Sequence, residues 1–584
     1  MPFFRFTVWF LALGFFFSIL LIACGGGGGD SSSRGGDDDD DLIGDDDDND
    51  DGDDDDNDDD SDDDNDDDSD GDEAPEPSDD IGVFVAKTGN DENAGTMLYP
   101  KLTINAGYEL ARAQEKNLFV AEGTYKETVF FNWGNSVSLF GGYEPAHWQR
   151  NIDSFCTIIE PEGDTDIDTG IFLHDVQGSI AIEGFTVHTT AAFGISITLD
   201  GGSAVINKNK VFIDFAITDP VGVFTSQGDI SIRNNFVQIG SGILNDPGNA
   251  TGISASGDNL SIINNNIVFD DAIENMWNSY GLFLYPPSGS SISSVLIQNN
   301  DIIAGPVEGD HAYSYGISIS DCDEFQIGEN RIQSGSVSSY GSDDSSTTGL
   351  GIFHSINGTV ESNFILSGTA SGADAVANGV YLDKVDKAVI INNIIQSGDA
   401  NVDTRGIYDA VDTSNPYIER EIINNTFLQG SAEGLSCGIY LWGGKASLVN
   451  NIFYMGDLRV KAGMACGINN YAGSPDIVVR NNNIWSSGPF CHILTYDDIC
   501  IDNLMEFNAC EWGHCSVAGE NISDDPLFYD PQSGNYHLLE ESPCIDSGIE
   551  SSPWCSENSI YNDFDGDARP QGNTWDIGAD EYNH

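Results

Sequence analysis

The chain has 584 residues, 97 of them acidic and 21 basic, and its formal net charge is −76. Because proteins bind nucleic-acid phosphates through basic patches, this charge excludes nucleic acid as a partner. The length allows a large core, which in a repeat protein does not have to divide into several domains.

The N-terminal segment carries one positive charge followed by an apolar run. Arg5 precedes the run from Phe6 to Ile22, and Ala23 and Cys24 come next. This order of charge, apolar stretch and small residue is typical of a secretory signal peptide. A transmembrane anchor would need about 18 to 20 apolar residues and a basic flank, whereas acidic residues follow here. We therefore predict a signal peptide at residues 1–23.

Leu21 to Cys24 reads Leu-Ile-Ala-Cys, which resembles the lipobox of bacterial lipoproteins. The resemblance implies that Cys24 becomes the lipidated N-terminus and that the membrane is a partner through this anchor. Gly25, rather than an Asp, follows the cysteine. The expected location is therefore the outer membrane or cell surface of a Gram-negative bacterium.

The next segment is dominated by aspartate, with 26 Asp between Asp37 and Asp72. A chain of this charge cannot bury apolar surface and repels itself into an extended form. We predict residues 24–80 as a disordered, Gly- and Asp-rich tether. Clustered carboxylates can also take up Ca²⁺, which stays open as an alternative for this segment. No other cofactor is expected.

Two signals then recur in step along the chain, with a period of about 30 residues. The first is a glycine followed by Ile, Val or Leu, and the second is an asparagine that follows it by 12 to 19 residues. The glycines are Gly170, Gly194, Gly222, Gly252, Gly281, Gly316, Gly351, Gly379, Gly406, Gly438 and Gly467. The asparagines are Asn209, Asn235, Asn265, Asn300, Asn330, Asn363, Asn393, Asn425, Asn451 and Asn482.

Each repeat consists of short β-rich runs broken by Gly, Asn, Asp and Ser. Such strands become stable when like strands of successive turns stack at about 4.8 Å. An asparagine at each corner can adopt the left-handed conformation and bond to the next asparagine in the stack. A propeller or sandwich would require regular hairpin turns, which are scarce here. The pattern predicts an all-β protein, a parallel β-helix of about eleven turns, with the repeats at residues 161–490.

Three stretches now support a resemblance to a known group. The repeats, such as "IINNNI" and "LVNNIF", resemble the PbH1 repeats of right-handed parallel β-helix proteins. Ile81 to about Tyr143, with "VFVAKTGNDENAGT" and "LFGGYEP", resembles the DUF1565 N-terminal region of that group, which implies a short capping helix around Ala106 to Ala113. We therefore predict an N-terminal cap and the first coils at residues 81–160. Residues 491–584, with "DFDGDARPQGNTWDIGADEY", resemble the C-terminal segment of choice-of-anchor Q surface proteins. The resemblance implies the fold more strongly than any activity.

Ten cysteines follow Cys24, and an even number in an exported protein favours disulfides. Six of them lie between Cys491 and Cys555, which predicts a disulfide-bearing C-terminal cap. Cys437 should stack over Cys466 one turn later, so this pair is a candidate disulfide.

Two C-terminal motifs look like metal sites, but we predict that neither binds a metal. The spacing of Cys510 and Cys515 around His514 matches no zinc pattern. Asp563 to Asp567 starts like an EF-hand loop, but the twelfth position is Thr574 rather than Glu, so we interpret it as a cap turn.

Alternation along the strands places an aromatic stripe on the outer surface of the later turns. Its members are Tyr381, Tyr408, Tyr440, Trp442 and Tyr471. Flat apolar rings can stack against pyranose faces, so the stripe is a candidate glycan-binding site. The alternative is that the rings only stack on one another, or lie beneath a loop or the C-terminal segment.

The signal for catalysis is weak. Candidate acids and bases near the stripe are Asp383, Lys384, Arg405 and Asp409, while His354 is predicted to point inward. We find no contiguous signature of a glycosidase or lyase among them. The preferred hypothesis is a lipid-anchored surface protein that binds glycan or acts as an adhesin and is not an enzyme. The alternatives are a lyase or glycoside hydrolase acting on acidic polysaccharide, and a passive structural protein.

Overall fold

A computed structural model describes residues 74–583, with gaps at 163–168, 191, 215–218, 241–242, 271–272, 310, 341–343, 411–417, 457–463, 472–475, 514 and 556–560. The predicted signal peptide, the lipidation site Cys24 and all but the last few residues of the tether lie outside the described residues. Within the described part of the chain, no helix has both the length and the apolar character to cross a membrane.

The strands form three parallel columns. The first column contains Val129–Asn135, Ile171–Glu183, Phe193–Asn207, Val221–Ser226, Ile243–Ser256, Ile273–Leu284, Tyr313–Ser320, Asp344–Phe353, Asp374–Asp383, Asp403–Ala410, Leu435–Leu441, Met464–Asn470 and Cys491–Leu494. The second contains Gly82–Val85, Asn117–Ala121, Leu139–Tyr143, Asp229–Arg233, Asn259–Ile263, Ile292–Gln298, Cys322–Gly328, Asn357–Glu361, Lys387–Ile391, Glu419–Ile423, Lys445–Val449, Asp476–Arg480 and Cys515–Gly519. The long strands Ile171–Glu183 and Phe193–Asn207 continue into this second column.

The third column contains Gly123–Tyr125, Thr157–Ile159, Phe185–Thr189, Lys210–Ile213, Phe236–Ile239, Asn266–Phe269, Asp301–Ile303, Arg331–Gln333, Phe364–Leu366, Ile394–Gln396, Thr426–Leu428, Ile452–Tyr454 and Asn483–Trp485. Shorter pieces are Val307–Glu308, Val337–Ser338, Ala370–Ser371, Cys500–Ile501, and the antiparallel pair Phe528–Asp530 and Asn535–Leu538. The helices are Ile104–Gln114 and Leu504–Asn508.

Each strand of a column pairs in parallel with the equivalent strand one turn later. In the first column, for example, Ile407 lies in register between Val380 and Ile439. All three side chains are fully buried and belong to one core that runs the length of the coil. The predicted right-handed parallel β-helix, with about eleven turns, is confirmed.

The predicted asparagine corner is also confirmed. Each ladder asparagine accepts hydrogen bonds at its Oδ1 from the previous one, as in the 2.9 Å bond that the Asn363 amide donates to Asn393. The ladder continues past Asn482 to Asn521. The left-handed conformation falls on the preceding residue, for example Asn392 at φ 56°. At each corner, therefore, the left-handed residue turns the chain, and the asparagine after it hydrogen-bonds to the asparagine of the adjacent turn.

The repeated glycine sits where backbone and side chains of adjacent turns approach most closely. A Cβ at Gly281 would lie 2.3 Å from Ile302 and 2.5 Å from the Gly316 carbonyl oxygen. The sequence interpretation was wrong at one turn, because Gly349, not Gly351, occupies this position above Gly316.

The N-terminal helix Ile104–Gln114 agrees with the expected capping helix. The Thr103 hydroxyl accepts a hydrogen bond from the Ala106 amide, which fixes its first turn. Ile104 and Tyr108 are buried in the main core, and Tyr108 stacks on Phe131 with 3.5 Å between ring centroids.

The C-terminal region divides into two parts. Residues 491–519 close the end of the coil, with Phe507 buried and disulfides joining Cys491 to Cys500 and Cys510 to Cys515. The disulfide-bearing cap is thus confirmed.

The residues that follow, 522–583, fold back along the asparagine corner, and we call them the C-terminal strap. Asn392, Asn450 and Asn481 each donate a side-chain hydrogen bond to a backbone carbonyl of the strap. Beneath the strap lie outward-facing apolar side chains such as Ile423 and Val449.

Candidate functional site

An aromatic ladder runs along the outer surface of the first column. Tyr381, Tyr408 and Tyr440 lie in register on three successive strands, as the alternation predicted. Ring centroids are 5.1 Å apart for Tyr381 and Tyr408 and 5.3 Å apart for Tyr408 and Tyr440. The ladder ends at Trp442 and Tyr471, whose rings are 4.9 Å apart. It extends in the other direction through Phe353, Tyr315 and Tyr280.

The inner rings of the ladder are less exposed than the stripe prediction implied. Tyr440 retains 8% of its surface, and Tyr381, Tyr408 and Trp442 are half-buried. Tyr471 at the end of the ladder is 44% exposed. Successive rings cover one another because the strand spacing matches the contact distance of aromatic pairs. The surface offered to a ligand is therefore a row of ring edges that ends in the Trp442–Tyr471 pair.

The Arg405 side chain packs against two rings of this ladder. Its guanidinium lies 4.4 Å from the Tyr408 ring centroid and 5.3 Å from that of Tyr440. It donates a hydrogen bond to Asp403 at 2.5 Å and another to Asn378 at 3.4 Å. With only 9% of its surface exposed, Arg405 is neutralised by Asp403 and holds the rings in place.

The hydroxyls of Tyr315, Tyr381, Tyr408 and Tyr440 are uncharged at physiological pH. Burial raises the pKa of Tyr315 to about 12, and burial also raises the pKa of Tyr381 and Tyr440. The pKa of Tyr408 is raised by burial as well, although Arg405 and the Trp442 indole act in the opposite direction. The ladder therefore presents neutral hydroxyl groups and apolar ring surface.

A polar cluster lies at the edge of the ladder, where the strands end. The Lys384 Nζ is 3.4 Å from the His354 Nε2, which in turn is 3.9 Å from the Asp383 carboxylate. The prediction that His354 points inward was wrong: it is a left-handed turn residue, φ 51°, with a partly exposed side chain. Asp321 and Lys384 have the same conformation at the equivalent turn. The enrichment of Asp and His at left-handed positions was the available signal for this turn at Asp321 and His354.

Asp409 does not belong to this surface. It lies in register between Leu382 and Leu441, inside the coil, and is fully buried. Its carboxylate accepts a 2.8 Å hydrogen bond from Arg420, which is also fully buried. Burial raises the pKa of Asp409, and the Arg420 guanidinium opposes that rise. Of the four candidate catalytic residues, only Asp383 and Lys384 are therefore near one another and accessible.

Cys437 and Cys466 lie directly opposite each other on adjacent strands, as predicted. The expected disulfide between them is absent, and both are buried free thiols. Cys491 is in register with Cys466 and forms its disulfide with Cys500 instead. The three cysteines pack beneath the last rings of the ladder.

Three ranges next to the ladder strands lie outside the described residues: 411–417, 457–463 and 472–475.

No protein-family model matches the chain. A search of curated proteins also finds no match. Among solved structures, the chain is similar to the complex of XylC with xylose, at 12% identity and a TM-score of 0.39 over 85% of this chain and 98% of that one. It is also similar to pectate lyase Pel9A, at 14% identity and a TM-score of 0.31 over 86% and 96% of the two chains. A lacto-N-biosidase from Eubacterium ramulus matches at 10% identity and a TM-score of 0.27, over 76% of this chain and 68% of that one.

Proposed function

We propose that this chain is a non-catalytic surface protein that binds a glycan along the aromatic ladder. The observation that carries the proposal is the continuous row of ring contacts from Tyr280 to Tyr471, in which Tyr381, Tyr408 and Tyr440 occupy one register position on successive strands. A β-helix with only a structural role needs apolar side chains inside the coil. Its stability does not require aromatic side chains on the outer surface of the later turns. Extended polysaccharides match a linear row of rings, which offer apolar contact while neighbouring polar groups bond to sugar hydroxyls.

The charges around the ladder favour a neutral glycan over a polyuronate. Arg405 is paired with Asp403, and Lys384 lies beside His354 and Asp383. A carboxylate-rich polymer would find Arg405 compensated by Asp403, would have Lys384 as the exposed cation of this set, and would meet a chain of net charge −76. Asp383 and Asp403, in contrast, can accept hydrogen bonds from neutral sugar hydroxyls.

The polar cluster at Asp383 and Lys384 is the one observation that favours the alternative, a polysaccharide-cleaving enzyme. A glycosidase needs two carboxylates flanking the scissile bond, and a lyase needs a base beside a neutralised uronate. With Asp409 buried, Asp383 lacks the partner carboxylate expected from the sequence. Under our proposal, pectin, alginate and chondroitin incubated with the protein and Ca²⁺ yield neither unsaturated nor reducing ends; release of either would favour the enzyme.

Replacing Trp442 or Tyr471 with alanine should weaken the binding of a neutral oligosaccharide about 3- to 10-fold each. One aromatic contact contributes about 0.5–1.5 kcal/mol beyond its buried area, and these two rings form the accessible end of the ladder. A glycan array identifies the ligand, and isothermal titration calorimetry measures the change.

The matched control is Tyr99→Ala, which removes a ring that is 57% exposed and lies outside the ladder. This variant should bind as the unaltered protein does. If the array shows no binding, or if the Trp442 and Tyr471 variants bind as tightly as Tyr99→Ala, the proposal fails.

We further propose that Cys24 carries a lipid and that residues 24–80 tether the coil to the outer membrane. The support is the Leu-Ile-Ala-Cys sequence after an apolar run. In detergent phase separation, the protein expressed with its N-terminal segment should enter the detergent phase, and Cys24→Ser should move it to the aqueous phase. Equal partitioning of the two would rule out the anchor.

A further inference from the structure

Three separate pieces of the C-terminal strap bring metal-ligating side chains together. His537 lies on the strand Asn535–Leu538, Asp565 lies in the loop 563–567, and Asp580 is four residues from the end of the chain. The His537 Nδ1 is 2.8 Å from an Asp580 carboxylate oxygen and 3.6 Å from an Asp565 oxygen. The three donor atoms all lie within 4.8 Å of one another.

Hydrogen bonds to the backbone hold these side chains and their loops in place. The second oxygen of Asp580 accepts a 2.8 Å bond from the Leu538 amide. Asp563, which is itself buried, accepts bonds from the amides of Asp565 and Asp567 and so shapes the loop that carries Asp565. A cluster fixed in this way loses little conformational entropy when it binds an ion.

The cluster borders a cavity of about 260 Å³ between the strap and the third column. Phe364 and Ile394 line the cavity from the coil, and Tyr536 and Phe564 line it from the strap. The His537 and Asp565 side chains are about half exposed, at 54% and 43%, so an ion can reach them from solvent. The cavity leaves room for a water or another oxygen ligand beside the three protein groups.

We propose that His537, Asp565 and Asp580 bind one divalent first-row transition metal ion of the Zn²⁺ class, with an open coordination position toward the cavity. Imidazole nitrogen favours such an ion over Ca²⁺ or Mg²⁺, which prefer oxygen ligands throughout. Ligand atoms around Zn²⁺ lie about 3 to 4 Å apart, so a small widening of the His537–Asp580 contact suffices. Three protein ligands with a free position are typical of sites that also hold water or a substrate group.

The site differs from the EF-hand-like calcium loop that the sequence analysis rejected. It takes one carboxylate from Asp563 to Asp567 and combines it with a histidine and an aspartate from elsewhere in the strap. The alternative is that His537 and Asp580 form a structural hydrogen bond and bind no metal.

The experiment is calorimetric titration of the metal-stripped full chain with Zn²⁺, in excess Ca²⁺ and Mg²⁺ that occupy the aspartates of residues 37–72. The unaltered protein should show one tight site. His537→Ala and Asp565→Asn should each weaken that site more than about 10-fold. Asp530→Asn removes an exposed carboxylate from the same hairpin and should leave binding unchanged.

Co²⁺ supplies a second measurement, because its visible absorption becomes much stronger when the ion moves from six-coordinate water to a four- or five-coordinate protein site. The absorption should appear in the unaltered protein and in Asp530→Asn and be lost in His537→Ala. The proposal is overturned if His537→Ala and Asp565→Asn bind Zn²⁺ as the unaltered protein does, or if Asp530→Asn weakens binding equally. Circular dichroism shows whether each variant is folded. If His537→Ala does not fold, Asp565→Asn still tests the site, because it changes only one side chain in an exposed loop.

Discussion

Replacing Asn393 with alanine should lower the free energy of unfolding by about 3–5 kcal/mol. The Asn393 side chain is fully buried and accepts hydrogen bonds from the amide and the side chain of Asn363. It also donates to the carbonyl oxygens of Val360 and Ile391 and to Asn425. Alanine leaves these groups buried without their partner on both sides of the turn, and each such group costs about 1–3 kcal/mol. Chemical denaturation followed by circular dichroism measures the loss.

Asn357→Ala is the matched control, because Asn357 is exposed on a second-column strand of the previous turn. It should change stability by no more than about 0.5 kcal/mol. Equal effects of the two substitutions would show that the ladder bonds contribute little.

Replacing Asp409 with leucine should destabilise the protein by about 3–5 kcal/mol, although leucine fits the repeat. Leu382 and Leu441 occupy the same position one turn before and after, so the pattern alone would favour leucine. The substitution leaves the Arg420 guanidinium charged and buried without its carboxylate, and an uncompensated buried charge costs several kcal/mol. The same denaturation measurement applies.

The control for this variant is an exposed ion pair of similar length. Arg331 and Asp301 lie 3.1 Å apart with nearly half of each side chain exposed. Asp301→Asn should cost less than about 1 kcal/mol. A stable Asp409→Leu protein would mean that the backbone carbonyl oxygens of Asp386, Glu419 and Val385, to which Arg420 also donates, are enough to compensate its charge.

The sequence predicted the coil well because its architecture repeats. A residue required at the same corner of each turn leaves a periodic trace, and each predicted ladder asparagine from Asn209 to Asn482 is in the ladder. The positions of Tyr381, Tyr408 and Tyr440 followed from the same period. Gly349 and Gly351 both fit the period, so the period alone does not identify the glycine of that repeat. The close approach of Gly316 to Gly349 in the structure identifies it.

Features that depend on long-range packing were not predictable in the same way. The strap has no period, so its return along the corner could not be inferred from spacing. Lys387–Ile391 and Glu419–Ile423 each end in two adjacent apolar residues, but so does the earlier strand Asn259–Ile263, which means that this pattern did not mark the covered turns. The Arg420–Asp409 pair and the His537 cluster depend on contacts that no local pattern encodes.

The central claim is that the aromatic ladder is the glycan-binding surface. A crystal structure of the protein with the neutral oligosaccharide identified on the array tests it most directly. We expect a pyranose ring packed against Trp442 and Tyr471, with the oligosaccharide extending along the ladder toward Tyr408. A sugar bound at another surface, with the Trp442 and Tyr471 rings free of it, would contradict the claim.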